Sequence, residues 1–590
     1  MTEQLGEVAN ALSPGRRRDD MARLGSGELD VLVVGGGITG AGIALDAATR
    51  GLSVGLVEAQ DWAAGTSSRS SKLIHGGLRY LQMLDFHLVR QGLKERALIM
   101  QRLAPHLVRP VPIMWPLRKP VVERIYVGAG IALYDLLGLA VGARRGLPLH
   151  RHLSKRHALA LSPGLRPDAL AGAILYYDGQ VDDARYVVEV VRTAVSSGAV
   201  AVNRAEAVRF LREGERVVGA VLRDTETGEE LEARARVNVI ATGAWTEETE
   251  GLAGRDRAVR VRPSKGAHLV VAREKLALSS GLIVRTDRSV LFVLPWGEHW
   301  LIGTTDTDWE YGKARPLATS SDVGYLIAQL NRVLAQPLAR EDVEATFAGL
   351  RPLVAGGGVV RGPGEGQAKG GPTQTPKLSR EHTIGRQVPG LVVVSGGKYT
   401  TYRLMAAEVV DAAVADGSFR PSRSQTGDIP LLGAIDYHGN WDRRHALAAE
   451  HGIGLARAEH LLHRYGGLVG EVLSPIRTAP RLAGPVEGAP GYLQAELVYA
   501  VTHEGARHLE DVLMRRTRIA METSDGGVGS ALAAAQLLAP LLGWDDATLA
   551  AEVEDYRSQV ALGYRAASRA SDDAGAARLA EEAPARLPLP

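Results

Sequence analysis

Cysteine is missing from all 590 residues of the chain, and this absence removes several kinds of chemistry at once. Without thiols there are no disulfides, no thiolate zinc sites, no cysteine-ligated iron–sulfur clusters and no cofactor tethered through sulfur. Any electron transfer must therefore depend on a bound organic cofactor.

A large excess of charge of one sign is also missing. The chain carries 69 Lys and Arg against 67 Asp and Glu, which gives a net charge of +2 at pH 7. It also has no basic stretch interleaved with aromatic residues, and both observations argue against nucleic acid as a partner.

Long hydrophobic runs are scarce. The basic cluster at residues 16–18 is not followed by the apolar segment that a signal peptide contains, so we expect a cytoplasmic protein with a polar N-terminal tail. The longest apolar stretch, residues 127–143, contains Tyr134 and Asp135 and is too short and too interrupted for a membrane span. Basic residues flank it on both sides, which fits either a helix lying on an anionic membrane surface or a buried helix with solvated ends.

Residues 30–58 (DVLVVGGGITGAGIALDAATRGLSVGLVE) have the pattern of a strand, a glycine turn, a helix and a second strand that ends in an acid. Gly35, Gly37 and Gly40 fit G-x-G-x-x-G, a spacing that allows a tight turn, close approach of the backbone to a pyrophosphate and close packing of helix on strand. Glu58 lies where a carboxylate binds ribose hydroxyls, and it would repel the 2′-phosphate of NADP. This unit predicts an adenine-dinucleotide site without deciding which dinucleotide it takes.

Two later segments repeat the theme of a strand followed by a turn. A buried-strand run at residues 235–241 leads into a Thr-Gly turn, and another at residues 391–394 leads into a glycine turn that opens a helix. Both would place backbone amides at the carboxyl ends of strands, where parallel sheets bind ligands. Residues 261–305 instead read as antiparallel strands of a separate sheet.

The length predicts roughly two to four domains. The predicted fold is a mostly parallel, Rossmann-like α/β domain over residues 28–430, with an antiparallel β substrate domain interleaved at about 105–175 and 261–345. Helical patterns with glycine stops predict an all-α C-terminal domain over residues 431–565. Residues 1–27 and 566–590 are predicted to be disordered tails.

An ordered set of motifs closely resembles the FAD-dependent, respiratory glycerol-3-phosphate dehydrogenase family. The resemblance covers about residues 28–565, and its motifs are residues 35–81, VDDAR (181–185), ATGAW (241–245), KGAHLVV (265–271), IGTTD (302–306), GLRPL (349–353) and GGKYTTYR (396–403). The first motif is generic to flavoproteins, whereas the ordered set is specific. The resemblance implies FAD as cofactor, an FAD-binding domain of the glutathione-reductase or D-amino-acid-oxidase type, and sn-glycerol 3-phosphate as substrate.

The resemblance also implies that Arg79, Arg351 and Lys398 line the substrate pocket, because a phosphate dianion is held best by two or three cations. The simpler interpretation makes the two arginines surface or ion-paired residues. Tyr80 and Thr305 are expected to hold the substrate hydroxyls.

Oxidation of a secondary alcohol requires a base that takes the hydroxyl proton. His268 is the first candidate because it belongs to the sheet expected to face the flavin, and His75 is the second. Arg351 is expected to stabilise negative charge on the alkoxide or on the reduced flavin.

The expected FAD contacts come from the first glycine turn, the Ser/Thr-rich loop after the second strand, and the two later turns. They are Gly35, Gly36, Gly37, Ile38, Thr39, Gly40, Glu58, Ala59, Thr66, Ser67, Ser70, Ser71, Leu73, His75, Gly76, Gly77, Thr242, Gly243, Trp245, Gly397, Lys398, Thr400 and Thr401. No metal site is expected.

The leading hypothesis is an enzyme that oxidises sn-glycerol 3-phosphate to dihydroxyacetone phosphate and passes electrons to a quinone, as a peripheral protein on the inner face of the cytoplasmic membrane. A homodimer is one option for its assembly. The rivals are an oxidase that gives the electrons to O2, an amino-acid or amine oxidase of the same fold, and a non-catalytic flavin-binding membrane scaffold. A scaffold would not need the three cations together.

Overall fold

The computed structural model of the chain describes residues 10–78, 81, 85–140, 147–254, 259–287, 290–354, 382–415 and 420–582. This part of the chain folds into two large β-sheets with their covering helices, followed by a helical domain.

The strands of the described residues, numbered in chain order, belong to the two large sheets and one short hairpin. They are β1 (Glu28–Val34), β2 (Val54–Glu58), β3 (Leu73–Ile74), β4 (Val108–Leu117), β5 (Arg151–Ser154), β6 (Gly172–Val181), β7 (Val200–Asn203), β8 (Ala205–Glu213), β9 (Arg216–Asp224), β10 (Glu230–Ile240), β11 (Val261–Ala272), β12 (Gly281–Arg285), β13 (Val290–Trp296), β14 (His299–Gly303), β15 (Thr307–Asp308), β16 (Val343–Val354), β17 (His382–Val388), β18 (Leu391–Gly396), β19 (Pro485–Val486) and β20 (Ala489–Leu493).

The α-helices of the same part of the chain are numbered in the same way. They are α1 (Pro14–Gly25), α2 (Ile38–Thr49), α3 (Phe86–Leu98), α4 (Val122–Ala140), α5 (Lys155–Leu161), α6 (Asp183–Ser196), α7 (Thr246–Gly251), α8 (Ser320–Asn331), α9 (Tyr402–Ala413), α10 (Tyr437–Asp442), α11 (Arg444–Glu450), α12 (Leu455–Tyr465), α13 (Val469–Thr478), α14 (Gln494–Thr502), α15 (Ile519–Glu522), α16 (Val528–Leu542), α17 (Asp546–Arg569) and α18 (Asp573–Glu581).

The first sheet has the order β17-β18-β10-β1-β2-β7, and β9 and β8 continue from β10 as an antiparallel extension. Strands β18, β10, β1, β2 and β7 run parallel to one another. The apolar run of β1 is buried on both faces: Val31 and Val33 join the core under α2, α6 and α9, and Leu32 and Val34 join the core on the other side. The prediction of a mostly parallel α/β domain built from distant segments is confirmed.

The second sheet has the order β15-β11-β14-β13-β12-β4-β6-β3, with β16 beside β11 and β5 beside β6. Its neighbours are antiparallel except for β12 and β4. On β11, His268 lies opposite Gly303 of β14 and Phe347 of β16. The predicted antiparallel sheet is therefore present, and it carries the histidine selected from the sequence.

Helices α10 to α17 enclose a hydrophobic core of their own, which includes Leu461, Leu473, Val498, Leu538 and Tyr556. This is the predicted C-terminal helical domain. It also contains the short hairpin of β19 and β20, which an all-α prediction did not include. Gly488, with a φ of +75°, makes the hairpin turn.

Most of the described residues in the two tails predicted to be disordered form helices. Helix α1 begins with Ser13 as N-cap and is held to the sheet by Arg17, whose Nη1 donates to Asp224 at 2.9 Å. At the other end, α17 continues past residue 566, and α18 buries Ala576 while Asp573 pairs with the buried Lys265. Ion pairs to distant residues hold these polar helices in place. Composition does not reveal such pairs, so it predicted disorder.

None of the described helices is both long and apolar enough to cross a membrane. Helix α4, which contains most of the apolar stretch noted above, packs Val127, Ile131 and Tyr134 into the protein. Its other face is exposed at Ile125 and Leu136. The helix is therefore half buried, between the two interpretations that the sequence left open.

Candidate active site

A cavity of about 1860 Å³ lies at the carboxyl ends of the parallel strands, which is the edge where such sheets bind ligands. Its walls include Gly35 after β1, Glu58 at the end of β2, Thr242 after β10 and Gly397 after β18. The second sheet contributes another wall, to which Arg351 of β16 belongs. The cavity therefore lies between the two sheets.

The glycine turn has the geometry that its spacing predicts. Gly35 has a φ of +115°, and a Cβ added there would lie 2.6 Å from the carbonyl oxygen of Ala241. A Cβ on Gly40 would lie 1.8 Å from the carbonyl oxygen of Gly35. Side chains at these positions would force the turn open, so only glycine lets α2 begin at the cavity wall.

The N-terminus of α2 lies at the cavity, which Gly37, Ile38 and Thr39 line. The Oγ of Ser67 accepts from the N–H of Ile38 at 3.0 Å. Glu58 accepts from the N–H of Gly36 at 2.7 Å, and burial raises the pKa of its carboxyl. A helix N-terminus for a pyrophosphate and a carboxylate for a ribose thus occur together.

These features fit the adenosine diphosphate portion of FAD, and the size of the cavity leaves room for the rest of the molecule. Most of the residues expected to contact FAD line the cavity: Gly35, Gly37, Ile38, Thr39, Glu58, Ala59, Thr66, Ser67, Ser70, Ser71, Leu73, His75, Gly77, Thr242, Gly243, Trp245, Gly397 and Lys398.

The other five expected contacts lie behind the wall. Gly36 packs against the ring of Trp62 and Gly40 against Gly35, while Gly76 packs against Leu93. Thr400 and Thr401 are buried, and the Oγ1 of Thr400 accepts from the N–H of His75 at 3.1 Å. These five residues therefore pack behind the cavity wall and support the residues that line it.

The cations expected to bind phosphate are distributed as follows. Arg351 and Lys398 both line the cavity, whereas Arg79 and Tyr80 lie outside the described residues. The Nη2 of Arg351 donates to Thr304 Oγ1 at 3.1 Å and to the carbonyl oxygen of Thr305 at 3.2 Å, and its Nη1 lies 3.4 Å from Asp306. Arg351 is thus held in place from one side while part of it faces the cavity.

His268 is buried beside the cavity and does not line it. Its Nε2 lies 2.9 Å from the Oγ of Ser71, which does line the cavity, and its ring stacks on Phe347 with the centroids 4.7 Å apart. Burial, together with the charges of Arg351 and Lys72, holds the pKa of His268 well below its ordinary value. The imidazole is therefore neutral at pH 7 and can reach the cavity through Ser71.

The two remaining candidates, His75 and Thr305, both line the cavity. The hydroxyl of Thr305 accepts from the N–H of Ala267 at 2.9 Å, so β11 fixes its orientation. His75 follows the short strand β3, and its backbone is tied to Thr400.

Comparison with known proteins accounts for this arrangement. Residues 30–412 match the family model DAO, described as FAD dependent oxidoreductase, and residues 424–549 match the C-terminal domain of alpha-glycerophosphate oxidase. The glycerol-3-phosphate dehydrogenase of Mycobacterium leprae is 48% identical over 94% of this chain and 91% of its own length. The chain belongs to the FAD-dependent glycerol-3-phosphate dehydrogenase family.

More distant members of the family also match nearly the whole of this chain. The mitochondrial glycerol-3-phosphate dehydrogenase of Homo sapiens is 34% identical over 96% of this chain and 78% of its own. A glycerol-3-phosphate dehydrogenase from Bacillus halodurans, solved in complex with FAD, superposes with a TM-score of 0.73 at 27% identity, covering 95% of this chain and 99% of that one. The chain is therefore an FAD-dependent enzyme, as the resemblance implied, whereas the glycine turn and Glu58 alone predicted only an adenine dinucleotide.

Several residues of the site were not selected from the sequence, although all belong to motifs shared with the dehydrogenase family. Tyr399 lines the cavity beside Lys398, and Thr304 and Asp306 line it while contacting Arg351. Asp183 does not line the cavity, yet its carboxylate accepts from the N–H and the hydroxyl of Ser70. The sequence showed the motifs that contain these residues. Only the fold shows which residue of each motif contributes to the site.

Proposed function

We propose that this enzyme oxidises sn-glycerol 3-phosphate to dihydroxyacetone phosphate and passes the electrons to a membrane quinone. The observation that carries the proposal is that one cavity is lined both by residues 35 and 37–39 of the dinucleotide turn and by the cations Arg351 and Lys398. The names of the relatives, which cover most of the chain, support the same substrate.

Arg351 and Lys398 would bind the phosphate of the substrate. Arg351 offers a planar set of donors, and its contacts with Thr304 and Asp306 fix the plane of the guanidinium. A fixed donor plane loses little entropy on binding, so it can orient the carbon to be oxidised.

FAD, when bound, accepts the hydrogen and electron pair that leave C2 of the substrate. The hydroxyl proton goes to the neutral imidazole of His268 through the Oγ of Ser71, which is 2.9 Å from Nε2. His75 is the alternative base, because it lines the cavity directly.

The exposed face of α4 supports the proposal that the enzyme lies on a membrane and reduces a quinone. Val122, Ile125 and Tyr126 are 71%, 67% and 61% exposed, and they also line the cavity. The basic residues Arg118 and Lys119 lie just before the helix and are exposed. An apolar rim beside positive charge suits the surface of an anionic bilayer, from which an apolar acceptor would enter the cavity.

Anaerobic addition of sn-glycerol 3-phosphate to the purified holoenzyme tests the reaction. Bleaching of the visible flavin absorbance is expected, and glycine and proline should leave the spectrum unchanged. Bleaching by either amino acid but not by glycerol 3-phosphate would identify an amino-acid oxidase instead.

Reoxidation of the bleached enzyme tests the acceptor. We expect a short-chain quinone to restore the oxidised spectrum much faster than air does, with little hydrogen peroxide formed. Stoichiometric peroxide would identify an oxidase.

A homodimer stays a prediction, and sedimentation of the purified enzyme would test it.

A further inference from the structure

The VDDAR motif at residues 181–185 contains two buried carboxylates whose contribution to the site goes beyond the bonds to Ser70. Asp182 is the N-cap of α6, and Asp183 is the first residue of that helix and is 0% exposed. Neither lines the cavity. A buried carboxylate is costly unless it is paired, so the partners of Asp183 indicate its role.

Asp183 forms hydrogen bonds with both chain neighbours of Ser71, namely Ser70 and Lys72. Its Oδ2 accepts from the N–H of Ser70 at 3.0 Å and from the Oγ of Ser70 at 2.6 Å. Its Oδ1 accepts from the Nζ of Lys72 at 2.7 Å. The main-chain oxygen of Asp183 accepts from the hydroxyl of Tyr399 at 2.6 Å, so the turn that carries Lys398 is attached to the same residue.

Ser71 is the residue held between these bonds, and its hydroxyl meets His268. Lys72 is completely buried and has a φ of +59°, an uncommon conformation that needs support from its surroundings. The Nζ of Lys72 lies 5.3 Å from the centroid of the Phe347 ring, on which His268 stacks. Movement of Lys72 would therefore disturb both Ser71 and His268.

The charge that completes this cluster comes from the C-terminal domain. Arg518 donates from Nε and Nη2 to Asp182 Oδ1 at 3.0 and 2.6 Å, and Nη2 also pairs with Asp183. Its Nη1 lies 3.5 Å from the carbonyl oxygen of Ser68. The loop of residues 68–72 is thus held between the FAD domain and Arg518.

We propose that Arg518 is a positioning residue for the reaction. It fixes the carboxylate of Asp183, which fixes residues 70–72, so that the hydroxyl of Ser71 stays within hydrogen-bond distance of His268. The C-terminal domain thereby forms part of the active site without lining the cavity. This inference rests on the proposed function, because it gives the Ser71–His268 pair the task of accepting the substrate proton.

The test compares Arg518→Gln with Arg507→Gln in the purified holoenzyme. Arg507 also lies in the C-terminal domain and also crosses to the FAD domain, where it pairs with Glu226 at 2.6 Å, but it contacts neither residues 68–72 nor the cavity. FAD content, the limiting rate of anaerobic flavin reduction and the substrate concentration at half-maximal rate are measured for both variants. Arg518→Lys, which keeps the charge, is the milder variant and is used if Arg518→Gln does not fold.

Arg518→Gln is expected to keep its FAD and its half-maximal substrate concentration, but to lose at least about tenfold in the limiting rate, because a misplacement of about 1 Å is costly to catalysis. Arg518→Lys should recover part of the rate, and Arg507→Gln should stay close to wild type. Equal losses in Arg518→Gln and Arg507→Gln, or a loss explained by missing FAD, would overturn the proposal.

A crystal structure of Arg518→Gln separates this inference from the proposed function. We expect the Ser71–His268 contact of 2.9 Å to be lost. That result does not depend on the substrate, so it stands even if glycerol 3-phosphate fails to bleach the wild-type flavin. An unchanged contact in the variant would refute the positioning role whatever the substrate is.

Discussion

The two halves of the cavity are built in different ways. The dinucleotide half is centred on the segment of residues 35–58, in which backbone sterics at Gly35 and Gly40 determine the turn. The substrate half is assembled from residues far apart in the chain, such as Ser71, His268, Arg351 and Lys398, and each is oriented by neighbours that also come from elsewhere.

The difference predicts opposite responses to mutation. In the dinucleotide half, an atom added at Gly35 or Gly40 would clash with other backbone atoms, which cannot move aside as a flexible side chain can. An assembled half should lose function gradually, since removing one side chain leaves the others in place. Substitutions in each half can test this contrast, beginning with the largest expected effect.

Gly40→Val should abolish FAD binding. The Cβ alone would lie 1.8 Å from the carbonyl oxygen of Gly35, so the turn must move. Overpacking of this kind also costs about 1–3 kcal/mol in stability. Flavin absorbance per protein after purification measures the loss. Gly27→Ala is the control, because its Cβ meets nothing within 4 Å, and an equal loss there would contradict the steric argument.

Arg351→Ala should keep its FAD but lower kcat/KM by about a hundredfold to a thousandfold, the range for losing a preorganised charge partner. Steady-state kinetics with a quinone acceptor measure it. Arg273→Ala is the matched control, since Arg273 follows a strand of the same sheet without lining the cavity. Loss of the flavin from Arg351→Ala would place this residue in the dinucleotide half.

Ile125→Glu should weaken binding to anionic liposomes by about tenfold, because burial of an aliphatic side chain contributes about 1.5–3 kcal/mol. Flotation with vesicles measures the bound fraction. Leu532→Glu changes another exposed apolar residue, on α16, and should bind like wild type. Equal binding of all three proteins would remove α4 from the membrane surface.

The smallest effect concerns the pH dependence of stability. The pKa of His268 is lower in the folded protein than in the unfolded chain, where it is about 6.5. Below that pH the unfolded chain binds a proton that the folded protein does not, so His268 makes stability fall by about 1.4 kcal/mol per pH unit as the pH drops.

His268→Gln should remove this component. Denaturant unfolding between pH 5 and 8 would show a shallower acid slope in the variant than in wild type, whatever its stability at pH 8. Identical slopes would mean that the pKa of His268 is not lowered in the folded protein. His503 also has a lowered pKa, of about 4, but it affects both proteins equally.

The predictability of the site follows the same division. The glycine turn, Glu58 and the sheet that carries His268 could be found from the sequence, because local spacing and strand pattern determine them. The position of His268 behind Ser71 could not, since it depends on the packing of β11 against residues 66–74. The link from Arg518 to Asp183 joins residues 335 positions apart, and no local pattern encodes such a pair.

The helical tails were missed for a related reason. Both tails are rich in charged residues, and a charged composition with few large apolar residues predicts disorder. In the structure, Arg17 and Asp573 use their charges to pair with Asp224 and Lys265 in other parts of the chain.

The order of the strands in the first sheet has a consequence for synthesis. On the ribosome, β1 can pair with β2 after a few tens of residues, but its other neighbour, β10, emerges only about 200 residues later. Gly35 packs against Ala241, so the glycine turn must wait for that strand, and Gly397 and Lys398 arrive later still. The FAD site is therefore complete only when more than half of the chain has been made, and one edge of β1 stays unpaired until β10 emerges.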